Sequence, residues 1–218
     1  MLAYHHRRPI YSKYMAIEQP EHVLGILASG GGSNFVAIHD AIEDGRLPNT
    51  MIAVVISDKE DAGALDKARE RVIPALWTGD IKGAERDHFI ADRFQRYGVE
   101  FGIGAGWLTM VGKELLDLYP VSFLNIHPAP LPRFGGKGMH GKLAHQAVLE
   151  SGVKWSGPTV HLMNENYDEG QILGHTQVPV LGGDTVSTLA KRVLEAEHDL
   201  FWRIIAKQIE RGPHPEAY

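Results

Sequence analysis

HVLGILASGGGSNFVAIHDAIE, His22 to Glu43, decides the architecture of this chain. His22 to Ala28 is an apolar run of strand length. Ser29-Gly30-Gly31-Gly32-Ser33-Asn34 is turn chemistry, and from Asn34 to Glu43 the apolar residues recur at helical spacing. Met51 to Ile56, rich in β-branched residues, supplies the next strand and completes a βαβ unit. The rhythm continues with helices over Ala62–Arg71, Ala84–Tyr97 and Val111–Tyr119, and strands over Ile73–Leu76, Val99–Gly104 and Val121–Ile126. Alternation of this kind implies an α/β domain with a mostly parallel twisted sheet and right-handed crossovers.

Beyond Pro132 the rhythm changes. Gly135 to Gly138 is a loop and Lys142–Leu149 a short helix. Thr159–Met163 and Ile172–Val180 are strands lying close together in sequence, and a long final helix runs from Thr185 to about Arg211 with Asp184 as its N-cap. Residues 1–19 show no periodicity and carry His5, His6, Arg7 and Arg8 together, the pattern of a solvated terminal arm. The expected organisation is an arm over 1–19 and one domain over 20–218.

Composition narrows the function classes. At 218 residues the chain has length for one ordinary core, and its 44% hydrophobic and 22% charged residues are those of a globular protein. There are no cysteines, which rules out disulfides and thiolate chemistry and fits a cytoplasmic setting. No apolar run approaches the roughly 18 residues of a spanning helix, and the start lacks the apolar stretch of a secretory signal. A net charge of −5 argues against nucleic acid as the main partner. The 12 histidines raise the question of a metal. None of them stands at HExxH or zinc-finger spacing, so no metal is expected.

FLNIHPAPLP, Phe123 to Pro132, carries the chemistry. Three prolines forbid a helix or central strand after Pro128. Asn125 and His127, two apart on the preceding strand, point to one face at its end. An amide beside an imidazole suits acyl chemistry. The glycine turn is a natural anion site at a helix N-terminus, or equally a tight turn capped by Ser33 or Asn34. It lacks the third glycine of a dinucleotide fingerprint. Asp168, in the polar turn NENYDEG, is either a solvated turn former or the carboxylate that orients His127. Trp107, Leu108, Met110 and Val111 make either a flat apolar slot for an aromatic ligand or the core of a helix start.

Taken in order, ASGGGSN (28–34), AGWL (105–108), LNIHPAPLP (124–132), GGKGMHG (135–141), TVHLMNENYDEG (159–170) and AEH (196–198) resemble the phosphoribosylglycinamide formyltransferase family. The resemblance covers roughly Val23 to Arg211. It implies a Rossmann-like domain with helices on both faces, a nucleotide-binding half over about 20–120, and a folate and catalytic half over about 121–218. It implies formyl transfer from 10-formyltetrahydrofolate as cosubstrate to the amine of glycinamide ribonucleotide, with small-molecule partners and a monomeric or homodimeric state. By residue, it implies Asn125, His127 and Asp168 as catalytic, Gly32, Ser33 and Asn34 at the substrate phosphate, and Glu197 at the substrate amine end. It places Trp107, Leu108, Met110, Val111, Met163, Asn164 and Tyr167 at the folate, with His161 in support.

The chain departs from that pattern at four positions. Leu194 stands where some members place a polar or basic residue, Trp107 and Thr109 replace what is often Phe and Arg, and Pro130 replaces a common leucine. Alternatives within the superfamily are another folate-dependent formyltransferase or a formyl-folate hydrolase. The phosphate turn favours a ribonucleotide acceptor, and some 20 residues before the first strand are too few for a regulatory domain. A non-catalytic folate- or phosphate-binding homologue is the reading from a different class.

Overall fold

The computed structural model describes residues 20–119 and 122–213. The arm expected over 1–19 and Val121 of the expected fifth strand lie outside them. The first half follows the expected alternation: β1 (His22–Leu27), α1 (Ser33–Glu43), β2 (Thr50–Ser57), α2 (Gly63–Glu70), β3 (Ala75–Trp77), α3 (Gly83–Arg96), β4 (Phe101–Gly104), α4 (Lys113–Leu116) and β5 (Phe123–His127). Then come α5 (Lys142–Glu150), β6 (Trp155–Ser156), β7 (Thr159–Leu162), β8 (Ile172–His175), β9 (Val178–Pro179) and α6 (Val186–Arg211).

The main sheet has the order β3-β2-β1-β4-β5-β7-β8. Strands β1 to β5 are parallel, whereas β7 and β8 join antiparallel. Side chains alternate across it. Leu24, Ile26, Phe101, Ile103, Leu124 and Ile126 pack with Phe35 and Ile38 of α1 and Phe201 and Ile204 of α6. Leu27, Ala53 and Phe123 face the other way, onto Ile90 and Phe94 of α3 and Leu115 of α4. Burial on both faces explains why these strands read as continuous apolar runs.

Three details depart from the sequence reading. The helix expected over Val111–Tyr119 is a single turn, because Val111 is buried and the Gly112 N–H donates to Asp87 Oδ2 at 2.8 Å. The N-cap of α6 is Thr185, whose hydroxyl accepts from the Thr188 N–H in a reciprocal capping box. Asp184 instead accepts from the Leu181 N–H and from Arg192. The strand expected over Ile172–Val180 is split, since β9 leaves the main sheet to pair with β6, a strand with no periodicity of its own.

At the start of β5 sits an aromatic platform. Phe94 stacks with Phe123 at 6.3 Å between centroids and meets Tyr119 edge-on at 5.9 Å. It fills the space left by Gly25, where a Cβ would lie 2.6 Å from the ring. Phe94→Ala is expected to cost about 3–5 kcal/mol in urea unfolding with an unchanged m-value. A loss below about 1 kcal/mol, the scale of a tolerated core swap, would show that the platform is not tightly packed.

Candidate active site

The strand order locates the site. From β1 the chain moves outward through β2 and β3, then returns to place β4 on the other side of β1. Loops leaving the carboxyl ends of two such neighbours diverge and open a crevice. Here the loop after β1 and the loop after β4 are tied at its floor. The Ser29 N–H donates to the Gly106 carbonyl at 3.0 Å, and the Leu108 N–H donates to Ser29 Oγ at 3.1 Å. The crevice holds about 610 Å³, in the range of small-ligand sites.

The site residues that the family resemblance implies all line this one cavity: Gly32, Ser33, Asn34, Trp107, Leu108, Met110, Val111, Asn125, His127, His161, Met163, Asn164, Tyr167, Asp168 and Glu197. Both the 20–120 and the 121–218 portions contribute. Leu194 is in the lining too. Among the described residues no group of three or more His, Asp or Glu is placed to hold a metal, and no helix is long and apolar enough to cross a membrane.

Asn125 and His127 share the face of β5 opposite Leu124 and Ile126, and antiparallel pairing sets His161 directly across from Asn125. The Asn125 amide has room only because its neighbour on β4 is Gly104: a Cβ there would lie 2.7 Å from Asn125 Oδ1. Asp168 reaches the same place from the loop between β7 and β8, with φ +58, a left-handed conformation uncommon outside glycine. Its Oδ2 lies 3.3 Å from His127 Nδ1 and accepts from the Gly136 N–H at 3.0 Å. Burial opposes this charge, but the contacts with His127 and His161, the charge on His127 and the Gly136 N–H outweigh it. The carboxyl is held well below the usual carboxylate range.

The imidazoles are fixed by carbonyls. His127 Nε2 donates to the Phe134 carbonyl at 2.8 Å, so with Nδ1 on Asp168 both nitrogens of this ring face acceptors. His161 Nδ1 donates to the Leu162 carbonyl at 2.8 Å. Its Nε2 lies 3.2 Å from Asn125 Nδ2 and 3.5 Å from Asp168 Oδ1. One nitrogen cannot accept from the amide and donate to the carboxylate at once. A neutral His161 accepts from Asn125 and turns the amide oxygen toward Gly104; a protonated ring turns to Asp168.

At the other end of the cavity Gly32 caps α1 with φ +73, and a Cβ on it would lie 2.7 Å from the Ala64 backbone. The first turns of α1 and α2 therefore meet at this loop, and the Ala64 N–H donates to the Gly30 carbonyl at 3.0 Å. Asn34 Nδ2 donates to Glu197 Oε2 at 2.6 Å. Burial pushes the Glu197 carboxyl up, against the pull of the Asn34 hydrogen bond and the His127 charge. Three buried polar atoms of the lining have no partner: Asn34 Oδ1, Trp107 Nε1 and His145 Nδ1. His145, on the buried side of α5, and the loop from Gly136 to Lys142 were not assigned from sequence. No spacing signals them, because α5 reaches the cavity only through the tertiary fold. Burial, with the His127 charge adding, pushes the His145 imidazole down.

Residues 24–205 match the model of the formyl transferase family, and the chain belongs to that family. It is 43% identical over 186 residues to phosphoribosylglycinamide formyltransferase, chloroplastic, of Arabidopsis thaliana, covering 84% of this chain and 63% of that protein. It is 34% identical to the human trifunctional purine biosynthetic protein adenosine-3, over 87% of this chain and 18% of that protein. Among solved structures, glycinamide ribonucleotide transformylase 1 from Symbiobacterium toebii superposes with a TM-score of 0.81 at 38% identity, covering 89% of this chain and 91% of that one. The chain spans about three fifths of the length of the plant relatives it matches.

Two outcomes follow from the geometry. Gly104→Ala is expected to keep the fold and lower turnover by about 10²-fold, the scale of losing one oxyanion donor, because the new methyl displaces the Asn125 amide; near-native turnover would show that the amide's position is unimportant. Glu197 has a raised folded pKa, so its penalty is absent at low pH and appears as pH rises above its ordinary value of 4.5. Glu197→Gln should therefore melt higher than the native chain near neutrality, with the difference vanishing in acid. A Gln variant less stable at every pH would contradict the assignment.

Proposed function

We propose that this chain transfers the formyl group of 10-formyltetrahydrofolate to the primary amine of glycinamide ribonucleotide. The observation that carries the reading is one cavity joining Asn125, His127 and Asp168 to the Gly32–Asn34 turn, with Glu197 between them. The substrate phosphate lies on the turn, where glycine backbone and the first N–H groups of α1 face an anion. The glycinamide amine is held by Glu197. The folate ring lies along Trp107, Leu108 and Val111, with Met110, Met163, Asn164 and Tyr167 around it.

In this site the free amine attacks the formyl carbon, forming a C–N bond while the carbonyl electrons move to oxygen. The oxyanion is met by the Asn125 N–H not engaged with His161 and by the positive charge of His127. Direct donation from His127 Nε2 requires that the formyl oxygen replace the Phe134 carbonyl. Asp168 holds the imidazolium in place, and the proton released by the attacking nitrogen passes to N10 as the C–N10 bond breaks. Tetrahydrofolate and the formylated amide leave, and no covalent enzyme intermediate forms. A cytoplasmic setting, small-molecule rather than nucleic-acid partners and a monomeric or homodimeric state complete the reading. The absence of cysteine and the net charge of −5 support it.

Purified protein given both substrates should release tetrahydrofolate only when the acceptor is present. Asp168→Asn should leave the fold intact and lower kcat by about 10²–10³-fold, as when a preorganised charge partner is lost. Acceptor-independent release would identify a hydrolase, and binding of formyl-folate without release would identify a non-catalytic homologue; either result overturns the proposal.

A further inference from the structure

Behind the wall of the folate slot lies a charged pair that plays no part in the proposed chemistry. Arg86 and Asp87 are on the buried face of α3, with side chains only 7% and 4% exposed. Neither lines the cavity; both reach the loop that does. Arg86 Nη1 donates to Thr109 Oγ1 at 2.8 Å, Nη2 donates to the Met110 carbonyl at 2.5 Å, and the guanidinium lies over the Trp107 ring at 5.4 Å from its centroid. Nη2 also contacts Asp87 Oδ1 at 3.4 Å, while Asp87 Oδ2 accepts from the Gly112 N–H at 2.8 Å. A Cβ on Gly112 would lie 2.5 Å from that carboxylate oxygen, so the loop is seated hard against the pair.

A buried ion pair is weak evidence for stability, since well-packed apolar residues often do as well. What this pair does that apolar residues cannot is specify direction. A planar guanidinium fork fixes a hydroxyl, a carbonyl and an indole face at once. We infer that Arg86, braced by Asp87, is a positioning residue that sets the shape of the Trp107–Gly112 wall and thereby the affinity for the formyl donor. Thr109 is part of the device: its hydroxyl accepts from the guanidinium that reaches it from α3. The inference rests on the proposed function, since it takes the wall to face formyl-folate.

The test measures affinity for 10-formyltetrahydrofolate by quenching of indole fluorescence, together with steady-state KM for donor and acceptor. The proteins compared are the native chain, Thr109→Val, Thr109→Ser and the double variant Arg86→Met/Asp87→Asn. The double variant removes both charges, so neither is left buried alone. Thr109→Val should weaken donor binding about fivefold, the worth of one hydrogen bond, with acceptor KM and kcat little changed. Thr109→Ser, which keeps the hydroxyl, should bind as the native chain does, and the double variant should lose at least as much donor affinity as Thr109→Val. Equal weakening for donor and acceptor would overturn the inference, as would a lower melting temperature with donor affinity intact. A native chain that binds no formyl-folate would overturn the proposed function as well. Native donor affinity in Thr109→Val would overturn the brace alone.

Discussion

A carboxylate taken out of water is tolerated only where donors surround it, and Asp168 is the group on which the rest of the site depends. His127 and the Gly136 N–H meet it, and His161 Nε2 lies 3.5 Å away. Each partner belongs to a different part of the chain: the end of β5, the antiparallel strand β7 and the loop after the proline-rich turn. Backbone pairing sets the register of β5 and β7, and the Asp168 charge is met where these segments come together. The left-handed backbone at Asp168 is a cost borne where the loop must bend to deliver that charge.

The surrounding scaffold keeps space for these groups rather than pressing on them. Gly102 and Gly104 on β4 lie beside Phe123 and Asn125 on β5, and a Cβ at either would strike its neighbour at 2.7 Å. One glycine admits the aromatic platform, and the other admits the amide above it. The polar end of β5 thus stands on a dry aromatic base, where its hydrogen bonds are not diluted by water. At the far end, the Gly32 turn meets the first turns of α1 and α2, and the two ends lie about one small molecule apart within a single cavity.

Much of this was legible in the chain itself. The run from His22 to Glu43 specified strand, turn and helix, and the spacing of Asn125 and His127 placed both on one face, which the register with Gly104 and His161 bears out. Two of the three boundary errors share a cause: tertiary contacts overrode local pattern. Residues 111–119 have helical spacing, yet Asp87 holds Gly112 outside a helix. Asp184 is a good cap by type, yet Arg192 claims it about two turns later. For the site, the sequence separation of Asn125 and Asp168 carried no geometric information, and only the family resemblance joined them. His145, Arg86 and Asp87 were illegible for a further reason. They sit on the buried faces of helices, and sequence pattern does not show what such a face meets.

In the proposed reaction one cavity holds the acceptor at the glycine turn and the formyl donor at the Trp107 wall, with the reacting carbon between Asn125 and His127. A crystal structure of the chain with glycinamide ribonucleotide and a tetrahydrofolate bearing a non-transferable group at N10 tests it most directly. The phosphate is expected on the N–H groups of Gly32 to Asn34, the amine beside Glu197, and the N10 substituent within hydrogen-bonding reach of the Asn125 amide. A phosphate bound elsewhere, or an N10 group remote from Asn125 and His127, would contradict it.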